Sequence, residues 1–123
     1  MKNRNLRESF SNAWAGIHDT IREERNARVH FGAVILLLLV GVLLRIDPLR
    51  WALLALACGS VLTTELLNTA VERTVDMITR EHSEAARRVK DLAAGAVLMS
   101  AVFAALCGVA VLLEPFLVWV GIR

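Results

Sequence analysis

The sequence predicts an all-α integral membrane protein, with three transmembrane helices preceded by an N-terminal amphipathic helix in the membrane interface. Hydrophobic residues make up 56% of the 123-residue chain. Most gather in long apolar runs, which a bilayer selects and a globular core does not. Ahead of those runs, over residues 5–22, apolar positions recur at spacings of three and four instead. The length suits one domain, taken as residues 1–123.

The surface helix, residues 5–22, sets Leu6, Phe10, Ala13, Trp14, Ile17 and Ile21 on one face. Arg7, Glu8, Ser11, Asn12, His18, Asp19 and Arg22 fall on the other. Trp14 is expected at headgroup level. The first span is read as residues 29–46. Residues 29–44 carry no charge apart from His30, and Arg28 and Arg45 flank them. Snorkelling of those flanks makes up a run slightly short of the roughly 20 residues a bilayer needs. Asp47 and Pro48 break the chain into a turn. The second span is read as residues 49–79. It is uncharged from Trp51 to Thr64, and no Gly or Pro stops the helix between Glu65 and Ile78. The third span is read as residues 88–113, with Glu114 and Pro115 expected to end it and residues 116–121 left as a short apolar tail.

Charge orients these spans. Eleven of the 14 Lys and Arg lie before the first run or between the second and third. Basic residues stay inside, so the N-terminus and second loop should be cytoplasmic. The first 28 residues show no signal peptide, so the first span would serve as a retained anchor. The net charge of +2 gives no footprint for nucleic acid, and no such partner is expected. Cys58 and Cys107 sit inside apolar runs and read as plain thiols.

The chemistry concentrates in ELLNTAVERTVD, residues 65–76. At about 100° per residue, Asn68, Glu72 and Asp76 fall roughly 300°, 340° and 20° from Glu65, on one narrow stripe. An acid at a helix centre costs about 2.5–3.5 kcal/mol to insert, so such a stripe must face protein, a cation or water. Asp76 also reads as a solvated helix end. Carboxylate oxygens suit hard cations such as Mg²⁺. Phosphoryl transfer needs a metal, balancing cations and a group that deprotonates the hydroxyl. Lys90 and Asp91 open the third helix; they read either as membrane flanking or as a phosphate-binding pair. The cluster from Arg22 to Arg28 reads as a solvated face, and His30 as an interfacial histidine. No P-loop is present, so nucleotide binding does not follow from a phosphate-cradling loop.

The stripe ELLNTAVERTVD, a basic loop, then KDLAAGAV, with ERNARVH before the first span, resembles the prokaryotic diacylglycerol kinase / undecaprenol kinase family. The likeness leans towards the undecaprenol kinase branch. It implies a homotrimer in the bacterial inner membrane, with active sites shared between subunits and MgATP as phosphoryl donor to a lipid alcohol. Glu65 is similar to the catalytic base of that family. Glu24 and Glu72 match its metal-binding pair, with Asn68 and Asp76 in support. Lys90 and Asp91 match nucleotide-binding residues, and Glu81, His82 and Ser83 occupy the loop placed near the nucleotide. Trp14 matches an interfacial tryptophan, and Arg28 lies in the ERNARVH segment at the lipid side. Val29 and His30 stand where the diacylglycerol-specific branch has a Gln-Glu pair, and Glu8 and Asn12 replace its basic and aromatic residues. Both departures favour undecaprenol over diacylglycerol. A proton-coupled transporter subunit would also use a membrane acid such as Glu65, but its polar groups should cross the bilayer rather than gather at one face. A purely structural module gives no reason for the stripe.

Overall fold

The computed structural model describes residues 5–123. Lys2, Arg4 and the start of the 1–123 domain lie outside the described residues. Among the described residues four helices follow in order: α1 (Leu6–Glu23), α2 (Arg25–Leu44), α3 (Pro48–Ile78) and α4 (Glu84–Trp119). Among the described residues there is no strand. The last three helices are each long and apolar enough to cross a membrane. The protein is thus all-α, with three spans and one preceding helix.

Asn5 caps α1, its side-chain oxygen accepting the Glu8 N–H at 2.9 Å. Leu6, Phe10 and Trp14 on α1 stay exposed, at 70% or more for each. Such an unpacked apolar face suits a bilayer interface. The chain leaves helical geometry only at Glu24, which is extended between α1 and α2. Arg28 then reaches back and donates to the carbonyls of Ile21 and Arg22, at 3.2 and 2.8 Å. Those are last-turn acceptors that α1 cannot satisfy itself.

The turn between α2 and α3 is tight. Arg45 takes the left-handed conformation (φ 53°, ψ 49°), and the Ile46 amide donates to Gly41 O at 3.3 Å. Gly41 lets Trp51 approach: a Cβ there would lie 2.8 Å from Trp51 Cη2. Asp47 caps α3 by accepting the Arg50 N–H at 2.9 Å, with Pro48 as first helical residue. Beyond the turn, Val34, Ile46, Leu54, Cys58 and Val111 form the buried core. α3 packs most extensively on α4. Cys58 and Cys107 are both free thiols.

Two expectations are corrected in α4. Ser83 caps this helix, accepting the Ala86 N–H at 3.0 Å, and Glu84 fills its first turn. Lys90 and Asp91 therefore lie more than a turn inside the helix rather than opening it. At the other end the helix does not stop at Glu114 and Pro115 but runs on to Trp119. Proline has no N–H for the carbonyl four residues back, which here belongs to Val111. Arg50 supplies the missing donor, its Nε giving a hydrogen bond to Val111 O at 3.2 Å.

Candidate functional site

The stripe on α3 passes from core to solvent along its length. Glu65, Asn68 and Thr69 are buried, Glu72 is half-buried and Asp76 is exposed. Glu65 sits deepest, its side chain only 4% exposed. The α1–α2 break brings Glu24 to the same region, and Glu24 and Glu72 both lie within electrostatic range of Glu65. Asn68 Nδ2 donates to Glu72 Oε1 at 3.4 Å, while Asn68 Oδ1 is buried with no partner. Arg73 ties α3 back to the break, meeting Glu23 Oε2 at 2.9 Å and Glu24 Oε1 at 3.6 Å.

Oxygen donors dominate this cluster, and two of them, Glu72 and Asn68 Oδ1, have no cationic partner among the described residues. That donor chemistry fits a hard divalent cation. No group of three or more His, Cys, Asp or Glu among the described residues is gathered tightly enough to hold a metal alone. The cluster therefore fits an ion whose remaining ligands are phosphate oxygens and water, which is how Mg²⁺ is usually held.

Two clefts lie beside the stripe, one reaching it through His30 and the other through Asp76. One, of about 520 Å³, runs between α2, α3 and α4, lined by apolar side chains such as Val34, Leu37, Cys58 and Val61, with His30 in its wall. The other, of about 570 Å³, lies at the junction of α3 and α4. Asp76, Glu81, His82, Ser83, Lys90 and Asp91 all line it. Lys90 Nζ donates to Asp76 Oδ1 at 2.6 Å across that cleft. Asp91 accepts from Arg87 at 2.9 Å.

The sequence stripe and loop residues thus come together in two adjoining groups. Trp14 and Arg28 do not join them. Trp14 is 71% exposed on α1, and Arg28 is spent on the carbonyls that end α1. Four neighbours were given no role in the site by the sequence. His30 Nε2 lies 3.5 Å from Glu65 Oε2, so this histidine is a partner of the buried acid rather than a bystander at the interface. Arg73 pairs with Glu24, and Arg80 and Arg87 line the second cleft. The signal for His30 was its place as the lone ionisable group in an apolar run; nothing local marked Arg73.

Residues 11–112 match the family of prokaryotic diacylglycerol kinases. The chain is 41% identical over 106 residues to the undecaprenol kinase of Bacillus subtilis, covering 86% of each chain. It is 40% identical over 114 residues to the diacylglycerol kinase of Synechocystis sp., covering 92% of this chain and 65% of that one. With the diacylglycerol kinase of Escherichia coli it shares 32% identity over 92 residues, 75% of each chain. Fold, acid stripe and relatives together define a small three-span membrane enzyme, a lipid kinase. The chain belongs to the prokaryotic diacylglycerol kinase family. It uses ATP to phosphorylate the hydroxyl of a membrane lipid alcohol, which displaces the transporter alternative.

Proposed function

We propose that the acceptor is undecaprenol, and that transfer occurs where the apolar cleft meets the carboxylates of α3 and the α1–α2 break. The observation that carries this reading is the burial of Glu65, which lies 3.5 Å from His30 in the wall of the apolar cleft and within electrostatic range of Glu24 and Glu72. The Bacillus relative, named for undecaprenol, supports the choice of lipid.

In this mechanism Glu65 takes the proton from the lipid hydroxyl. The freed oxygen bonds to the γ-phosphorus as the bond to the β–γ bridging oxygen breaks, and ADP leaves. Glu24 and Glu72 would hold Mg²⁺, with Asn68 Nδ2 donating to Glu72. When bound, the ion supplies charge neutralisation across the phosphates. Lys90 offers its ammonium to the nucleotide, held in place by Asp76. Asp91, Glu81, His82 and Ser83 line the nucleotide side of the same region.

The protein would reside in the bacterial inner membrane with its N-terminus cytoplasmic, so that ATP meets the cleft at the α3–α4 junction, where Arg80, Arg87 and Lys90 lie. A homotrimer with shared sites fits this arrangement. Ala94, Gly95 and Ala96 on α4 are exposed, and a Cβ added at Gly95 would meet nothing within 4 Å. Such a surface permits close approach of another helix.

Purified protein in lipid vesicles should transfer ³²P from MgATP to undecaprenol with a higher kcat/KM than to diacylglycerol. Glu65→Gln should lower kcat by about 100-fold or more, the scale of general-base catalysis. Glu72→Gln should raise the Mg²⁺ concentration needed for half-maximal rate. A preference for diacylglycerol would overturn the choice of lipid. Full activity in Glu65→Gln would overturn the site.

A further inference from the structure

We infer that His30 is a positioning residue for the Glu65 carboxylate, fixing which of its oxygens faces the lipid hydroxyl. The inference rests on the reading of Glu65 as base.

Glu65 is almost wholly buried, and a buried carboxylate needs a donor. Its neighbours supply few. Glu24 and Glu72 lie within electrostatic range but are carboxyl side chains, with no N–H to offer. Thr69 is adjacent on the helix but donates to the main-chain carbonyl of Glu65, at 3.2 Å, not to the carboxylate. Among the described residues the one side chain of opposite or neutral character at ion-pair distance is His30, whose Nε2 lies 3.5 Å from Oε2.

The geometry gives this contact a direction. His30 belongs to α2 and Glu65 to α3, so the contact crosses between two spans. His30 is half-buried, at 25%, in the wall of the apolar cleft. A lipid chain lying in that cleft would bring its hydroxyl past the imidazole to the acid. Holding Oε2 leaves Oε1 as the oxygen free to accept a proton. Without the imidazole the terminal torsion of a glutamate is broad and roughly two-fold, so neither oxygen is held in place. Misplacing a reacting group by about 1 Å can cost about 100-fold in rate. The effect falls on turnover, because His30 pairs with Glu65 and with none of Glu24, Glu72 and Lys90, the groups that would hold the nucleotide and its ion.

The test uses the full chain in vesicles with undecaprenol and MgATP. His30→Ala should lower kcat about 10- to 100-fold while KM for ATP stays within about twofold, a loss too selective for general misfolding. His30→Gln places an uncharged amide N–H at a similar reach and should restore most of kcat. In the Glu65→Gln background, His30→Ala should add no further loss, since residues acting as a unit are not additive. The inference is overturned if His30→Ala keeps its kcat, if His30→Gln is as impaired as His30→Ala, if KM for ATP rises in step, or if the losses multiply in the double variant. His30→Ala at full rate beside an inactive Glu65→Gln would remove this inference alone. A fully active Glu65→Gln would remove the base assignment and this inference with it.

Discussion

Arg50 donates from Nε to the main-chain carbonyl of Val111 at 3.2 Å, and Val111 is the residue whose carbonyl Pro115 leaves without a helical donor. The same guanidinium pairs with the Asp47 carboxylate and reaches Glu114 Oε2 at 3.2 Å. One side chain thereby joins the start of α3 to the last third of α4 and carries α4 across its proline.

Removing that donor should therefore matter only while Pro115 is present. Arg50→Met should destabilise the protein by about 1–3 kcal/mol, the range for stranding a poorly solvated carbonyl. Pro115→Ala restores the missing N–H and should recover part of that loss when combined with Arg50→Met. Unfolding midpoints in detergent, followed by far-ultraviolet circular dichroism, measure both. Equal losses from Arg50→Met with and without Pro115 would show that the carbonyl is not the point of contact that counts.

Gly41 should be intolerant of a single added methyl. A Cβ there would meet the edge of Trp51 at 2.8 Å and Ile46 Cδ1 at 3.2 Å. Both neighbours are ring or side-chain atoms packed around the α2–α3 turn. Gly41→Ala should cost about 1–3 kcal/mol through overpacking, outweighing the gain of up to about 1 kcal/mol in helix propensity. Gly16→Ala on α1 meets nothing within 4 Å and should show only the gain. Trimming the ring with Trp51→Phe should relieve the Gly41→Ala variant, and melting temperatures for the four proteins decide it.

Asp47 ties stability to pH. The Arg50 main-chain N–H, then the Arg50 guanidinium, hold its carboxyl below the ordinary value of 3.8. A group depressed in the fold contributes stability that is complete above its unfolded value and is lost as pH falls through its folded value. The difference in unfolding midpoint between the native protein and Asp47→Asn should thus be constant above about pH 5 and shrink on further acidification. The asparagine keeps an oxygen for the Arg50 N–H, so the difference isolates the charge. A difference that grows at low pH would reverse the assignment.

Much of this arrangement was legible in the sequence because it is local. Glu65, Asn68, Glu72 and Asp76 share a face by helical geometry alone. The three spans follow from uncharged runs, and the turn ahead of α3 from Asp47 and Pro48. What was not legible depends on register between helices. His30 and Glu65 meet only because α2 and α3 pack at one particular depth, and no spacing within either segment encodes that. Pro115 misled for a related reason. The rule that proline ends a helix is a statement about the backbone alone, and a guanidinium 61 positions before Val111 supplies what the rule assumes is absent. Arg28 shows the converse. The family resemblance set it at the lipid side, and nothing before the first span marked the two carbonyls at the end of α1 that its Nη1 reaches.

Lys90 and Asp76 set up a last expectation, about the nucleotide. Their 2.6 Å contact bridges α4 and α3 across the second cleft, and both side chains are well exposed to it. An exposed ion pair is worth little to stability, so its purpose is better sought in binding. If the ammonium is held there for phosphate, Lys90→Met should raise KM for ATP about 10-fold or more, as loss of one charged hydrogen bond implies, while KM for the lipid stays level. Asp76→Asn keeps an oxygen acceptor for Lys90 but removes the charge, and should give a smaller rise. Because Asp76 acts through Lys90, the double variant should be no worse than Lys90→Met alone. Steady-state kinetics with each substrate varied in turn separates these outcomes. A rise in lipid KM instead would place Lys90 on the acceptor side, and independent losses from the two substitutions would mean that Asp76 touches the nucleotide or its metal directly.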